Sequence, residues 1–153
     1  MALKKTKLSE LFDYWLRIRD YYDLAVKLIP EEKIEWKPKH APNSFGDILR
    51  HTVETTNWGL AAVGGNPHQF KRCKKSEFAT KNSLITALEK SRLQLFTMLA
   101  NKYSDDLNEP VMLSSGNEAT LKWLLFHLME HDVHHRCQVF IYLRLLGINP
   151  PKI

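Results

Sequence analysis

Cysteine is scarce: Cys73 and Cys137 are the only two in 153 residues. They are too few for a disulfide framework and form no CxxC pair, so both are expected as reduced thiols. No apolar run reaches the ~18 residues that a bilayer span needs. The opening MALKKTKLSE lacks the apolar stretch and small-residue cleavage pattern of a secretory leader. These absences predict no membrane partner, a complete chain and a cytoplasmic setting. Acidic residues are also in deficit, with a net charge of +5, but the basic residues are spread, with small groups at Lys4, Lys5, Lys7 and at Lys71, Arg72, Lys74, Lys75. No interleaved aromatic and basic stripe accompanies them, so solvated surface rather than nucleic-acid binding is expected.

The length and a hydrophobic content of 44% fit one domain over residues 1–153 with a single packed core. A first helix is predicted from about Ser9 to Ile29, where Leu11, Trp15, Ile18, Tyr22 and Val26 recur at steps of three and four and Pro30 stops the pattern. The connection after it holds an anchoring Trp36 and an exposed His40. Ser44 and Asp47 make a capping-box-like start for a second helix, which ends near Val63 before Gly64, Gly65 and Pro67. Residues 64–81 read as a crossover or lid pinned by Phe70 and Phe78, with His68 at the surface. A third helix spans about Ser83 to Tyr103, and an irregular connection leads to Asn117, the expected N-cap of a fourth helix with Thr120 at N3. Gly147 is its C′ residue, followed by Pro150 and Pro151. Long amphipathic helices with long connections predict an all-α four-helix bundle with crossover topology.

The stretch from Thr120 to Leu146 carries four of the seven histidines, at positions 127, 131, 134 and 135, and contains neither Gly nor Pro. About seven turns of uninterrupted helix follow. At ~100° per residue, with His127 at zero, His131 falls near 40°, His134 near −20° and His135 near 80°, one arc of roughly 100°. The histidines are therefore expected inside the fold. Two core-type seams cross this arc, and His131 belongs to both. One buried imidazole is commonly satisfied by hydrogen bonds. Several together have more N–H groups and lone pairs than such a place satisfies, and a divalent ion resolves the conflict. Spacing leaves two pairs open, His127 with His131 and His131 with His135. His51 occupies a core-facing row of the second helix with Ile48, Thr55, Trp58 and Ala62, where it can meet this cluster. Cys137, near 280° on the same wheel, lies off the arc and is expected as a small core filler.

The runs LKWLLFHLMEHDVHHRCQVFIYLRLLG and SFGDILRHTVETTNW resemble the DinB / YfiT-like family of small bacterial four-helix proteins. The resemblance implies one divalent metal ion, zinc or nickel, held by His51, His131 and His135. It places His127 and His134 at positions where relatives often carry histidine without using it as a ligand. At Cys137 relatives commonly have a smaller residue. The resemblance also implies crossover connectivity and a homodimer. Some relatives are transferases of low-molecular-weight thiols such as bacillithiol or mycothiol, others have been called metal-dependent hydrolases, and many have no known activity.

Three imidazoles leave an ion with open positions, as in catalytic sites. The leading expectation is accordingly metal-dependent transfer of a low-molecular-weight thiol to a small-molecule electrophile, with the substrate pocket between the bundle and residues 64–81. His127, His134 and Arg136 are candidates for orienting a ligand or contacting substrate. Hydrolysis is the second expectation, although Glu130 and Asp132 point off the metal arc. A non-catalytic metal-binding stress-response module is the third.

Overall fold

The computed structural model describes residues 8–102 and 106–153. The basic group at Lys4, Lys5 and Lys7 and the expected helix end at Tyr103 lie outside the described residues. Four helices are present among the described residues: α1 Leu8–Leu28, α2 Phe45–Val63, α3 Lys81–Lys102 and α4 Leu121–Leu145.

α1 buries the stripe Leu8, Leu11, Trp15, Ile18, Tyr22 and Val26, and after Pro30 the chain makes a single 3₁₀ turn at Glu31–Lys33. Trp36 then packs edge-on against Tyr142 at 5.9 Å, anchoring the connection as expected. The capping box is complete: Asp47 N–H donates to Ser44 Oγ at 3.1 Å and Ser44 N–H donates to Asp47 Oδ2 at 3.0 Å. At the head of α3, Thr80 and Ser83 cap each other through reciprocal backbone-to-hydroxyl bonds.

The start of α4 departs from expectation. Residues Pro110–Met112 (β1) and Glu118–Thr120 (β2) form a small antiparallel hairpin, with Val111 opposite Ala119. Gly116, at φ 82°, supplies the left-handed turn. Asn117 is therefore held in the hairpin, its carbonyl accepting from Leu113 N–H, and does not cap the helix. Thr120 takes that role, with Trp123 N–H donating to its hydroxyl at 3.2 Å. Extended pairing through 118–120 delays helix entry by three residues. At the other end Gly147, at φ 76°, follows the helix as expected.

α2 packs between α3 and α4, and α4 also packs on α1. α1 closes the ring against α3 through Phe12 and Trp15, each edge-on to Phe96. Consecutive helices α1 and α2, and α3 and α4, thus stand diagonally, and a long connection also joins the adjacent α2 and α3. Gly59 lets α2 approach α4 closely: a Cβ there would lie 2.7 Å from Leu128 Cδ1.

The core is two apolar clusters separated by a polar layer. One cluster gathers Tyr22, Phe45, Leu84 and Leu143; the other gathers Trp15, Leu99, Leu121 and Leu128. Between them every helix contributes buried polar groups: Arg19, Thr52 and Thr56, Ser91 and Arg92, Asp132 and His135. Asp132 accepts from Trp15 Nε1 at 2.6 Å and from Arg19 Nε at 2.9 Å, while Arg92 pairs with Asp23. Burial pulls the Arg19 guanidinium down to about 10, against the pull of Asp132 that raises it. Tyr22 donates to Thr52 Oγ1 at 3.0 Å, because the Thr52 hydroxyl proton is directed to Ile48 O. Buried charges of this kind are favourable only as a set, since each one unpaired is costly.

Candidate metal centre

At the rim of that polar layer three imidazoles converge. α2 supplies His51; α4 supplies His131 and, one turn later, His135. His131 Nε2 lies 3.0 Å from His51 Nε2 and 3.1 Å from His135 Nε2, and the three ligand atoms all lie within 4.8 Å of one another. Burial increases from His51, exposed, through His131 to His135, buried. The expectation that the cluster sits inside the fold is corrected here: only His135 is buried, His127 and His131 are half-buried, and His51 and His134 are exposed at the rim.

Hydrogen bonding sets the chemistry of these nitrogens. His135 Nδ1 stands 2.7 Å from Gln138 Oε1, an acceptor, so Nδ1 carries the proton and Nε2 presents its lone pair to the centre. His131 Nε2 faces both other rings and also Thr55 Oγ1 at 3.1 Å. One ring nitrogen satisfies only one of these neighbours at a time. A cation among the three satisfies the lone pairs together. Nitrogens each ~2.0–2.1 Å from one ion stand roughly 2.9–3.4 Å apart, and two of the three separations here, 3.0 and 3.1 Å, fall in that range. Burial, followed by the neighbouring imidazoles, pushes His131 down to about 3. Burial likewise brings His135 down to about 4, against the opposing bond to Gln138. Both rings are neutral at physiological pH and available as ligands.

Beside the centre is a recess of about 330 Å³. His51, Thr55 and His131 form one wall, Trp58 and His127 another, and Glu54, Phe70 and Arg72 the third. His127 stacks on Trp123 at 5.0 Å and meets the Trp58 ring edge-on, so it shapes the recess. His134 is exposed, its ring 4.9 Å from that of His135. Arg136 does not line the recess; one residue beyond His135 turns it ~100° away, and its Nε is buried without a hydrogen-bond partner among the described residues. His40 and His68 are exposed, away from the centre.

Thr55 and Trp58 were placed on the row of His51 from the sequence, but Glu54 and Gln138 were not singled out. Glu54 lies three positions after His51 and so shares its face of α2. Gln138 stands in the same i+3 relation to His135. Glu54 Oε1 accepts from Cys73 N–H at 2.8 Å and Oε2 lies 3.5 Å from Arg72 Nη1, so its carboxylate is engaged by the segment that crosses α2. Cys137 is exposed on the far side of α4, which corrects its expected role as core filler. Cys73 is buried, and burial pushes its thiol up to about 11, with Glu54 adding to the shift. Neither protein thiol lines the recess.

Solved structures share this fold. A DinB-like protein from Bacillus cereus ATCC 10987 superposes with a TM-score of 0.81 at 17% identity, covering 98% of this chain and 99% of that one. The DinB-like protein YjoA from Bacillus subtilis gives a TM-score of 0.73 at 18% identity, covering 94% and 96%. In sequence the chain is 20% identical over 142 residues to the uncharacterized protein YjoA of Bacillus subtilis strain 168, spanning 91% of this chain and 90% of that protein. The DinB family profile matches residues 1–153 from end to end, and with the four-helix fold and the three converging imidazoles already in view, the chain belongs to the DinB family.

Proposed function

We propose that this protein is a cytoplasmic metal-dependent transferase that activates a low-molecular-weight thiol and delivers it to a small electrophile. The observation that carries the reading is the convergence of three imidazole rings beside an open recess. A divalent ion held there, zinc or nickel, lowers the pKa of a bound thiol or water. His51, His131 and His135 would hold the ion, Gln138 fixes the His135 tautomer, and Trp58, Phe70 and His127 line the recess. The thiol comes from outside, because Cys73 is buried and Cys137 faces away. Glu54 supports a second reading, hydrolysis, since it is a carboxylate in the recess. Its bonds to Cys73 N–H and Arg72 set it at a disadvantage as a base for water.

Metal content of protein purified without a metal-affinity tag tests the site: near one divalent ion per chain is expected, lost in His131→Ala. Turnover of electrophiles that requires added thiol supports transfer. Product formed with water alone supports hydrolysis instead, and stoichiometric metal without turnover across thiols and electrophiles supports a non-catalytic metal-binding module.

A homodimer paired through the outer face of α4 fits the same chain. Trp123 (47% exposed), Phe126 (42%) and Ile141 (54%) line that face, with Cys137 between them. Seven residues, two helical turns, separate Glu130 from Cys137 and Cys137 from Arg144. Two α4 helices crossing antiparallel at Cys137 therefore set each Glu130 opposite the other copy's Arg144, as a two-fold interface requires.

A further inference from the structure

Adjoining the imidazole recess, and sharing Phe70 and Arg72 with it, is a larger chamber of about 560 Å³. It lies between α2, α3 and residues 66–80, and its size is that of small-molecule sites. The sequence explains the space. α3 presents Ser83, Ala87 and Ser91 at successive turns and α2 presents Ala61, too small to fill the gap beneath the crossing segment. That segment is fixed to α2 by Asn57 Nδ2 donating to Lys71 O at 2.9 Å and by Cys73 N–H donating to Glu54, so it spans the gap and does not collapse into it.

The chamber has an apolar interior and a mouth of one charge. Val53, Leu60, Ala87, Phe70 and Phe78 supply apolar surface. Lys71, Arg72 and Lys90 are the charged residues of the lining, and no Asp or Glu is among it. Arg72 is partly neutralised by Glu54, but Lys71 and Lys90 have no acidic partner among the described residues. Lys71 Nζ lies over the Phe78 ring at 5.9 Å and the Arg72 guanidinium over the Phe70 ring at 4.9 Å, which holds these cations against the aromatic wall. Apolar surface under an unneutralised positive rim selects a ligand with an apolar body and an anionic head.

We propose that this chamber is a second binding site, distinct from the imidazole centre, for a small organic anion with an aromatic or aliphatic body, whose acidic group is met by Lys71 and Lys90. The site stands whether or not the three histidines hold an ion.

Two fluorescent probes of matched shape test it: anilinonaphthalene sulfonate, which is anionic, and phenylnaphthylamine, its uncharged counterpart. The folded protein is expected to bind the sulfonate saturably at one per chain and more tightly than the neutral amine. Lys90→Glu, at an exposed position, weakens sulfonate binding by roughly fivefold to tenfold, the scale of reversing one exposed charge, and leaves the neutral probe nearly unaffected. Thr86→Trp, also at an exposed position, weakens both probes by filling the chamber. The triple variant His51→Ala, His131→Ala, His135→Ala retains sulfonate binding, which separates this site from the metal reading. Absence of saturable binding, sulfonate affinity indifferent to Lys90→Glu, or loss of binding in the triple histidine variant would each overturn the proposal.

Discussion

His135 and Gln138 are joined by a 2.7 Å contact between ring Nδ1 and amide Oε1, and that contact decides which imidazole nitrogen faces His51 and His131. Removing it frees the ring to take either tautomer and to rotate. Substitution of such ligand-orienting partners typically costs ~10–100-fold in metal affinity. Gln138→Leu is therefore expected to weaken metal binding by about that factor while helical content stays at the wild-type level. Competition against a chelator of known affinity measures it, and an unchanged affinity would show that Gln138 has no part in the centre.

In metal-free protein the imidazoles make stability depend on acid. An unfolded histidine titrates near ~6.5, whereas His131 and His135 are held down to about 3 and about 4. Between these values the unfolded chain binds more protons than the folded one, so stability falls as pH drops from about 6.5 toward about 4 and is fully present above that window. Urea midpoints of apo protein are expected to be lower at about pH 5 than at about pH 7.5. The double variant His131→Gln, His135→Gln should lose most of this difference. An equal acid shift in both proteins would assign the effect to other groups.

The helices and their order were legible because apolar spacing of three and four reports one buried stripe per helix, as at Leu11, Trp15, Ile18 and Tyr22. The histidine trio followed from the arc on α4 together with the resemblance that chose among its pairs. What was not legible depends on contacts distant in sequence. Asn117 has the chemistry of an N-cap, but the pairing of Val111 with Ala119 carries the chain past it in extended form. Cys137 looks like a core residue by size, yet the fold turns its side of α4 outward. Glu54 reads as an ordinary surface acid until residues 72 and 73 are laid across it.

Asp132 is the strongest test of the polar layer. It is adjacent to His131 in sequence but faces inward, where it accepts from Trp15 and Arg19, with Arg92 Nη2 3.8 Å away. Burial alone would raise its pKa; Arg19 and Arg92 outweigh that and hold the carboxyl below the usual range. Asp132→Leu leaves the Arg19 guanidinium buried without its direct counter-charge, while Arg92 keeps Asp23, and breaking such a buried pair costs about 3–5 kcal/mol. Urea unfolding should show a loss of that size, with an unchanged slope if the native state keeps its compactness. A loss below about 1 kcal/mol would mean that the charges rearrange to solvent and that the layer does not hold α4 in register.

The proposed dimer makes a prediction that surface apolarity alone does not. If the two α4 helices cross at Cys137, Glu130 and Arg144 meet across the interface twice by symmetry. Glu130→Arg or Arg144→Glu alone then sets like charges together and weakens association, while the double exchange restores the pairing with its sign reversed. Sedimentation of the four proteins at one salt concentration reads the cycle, with both single variants more dissociated than the wild type and the double variant near it. Mild oxidation should also link the two chains through Cys137, and Cys137→Ser should abolish the link. Equal dissociation of the single and double variants would exclude this crossing. Retained association in Ile141→Glu would exclude the α4 face itself, because a carboxylate at a 54% exposed position is harmless in a monomer and is buried without a partner in the pair.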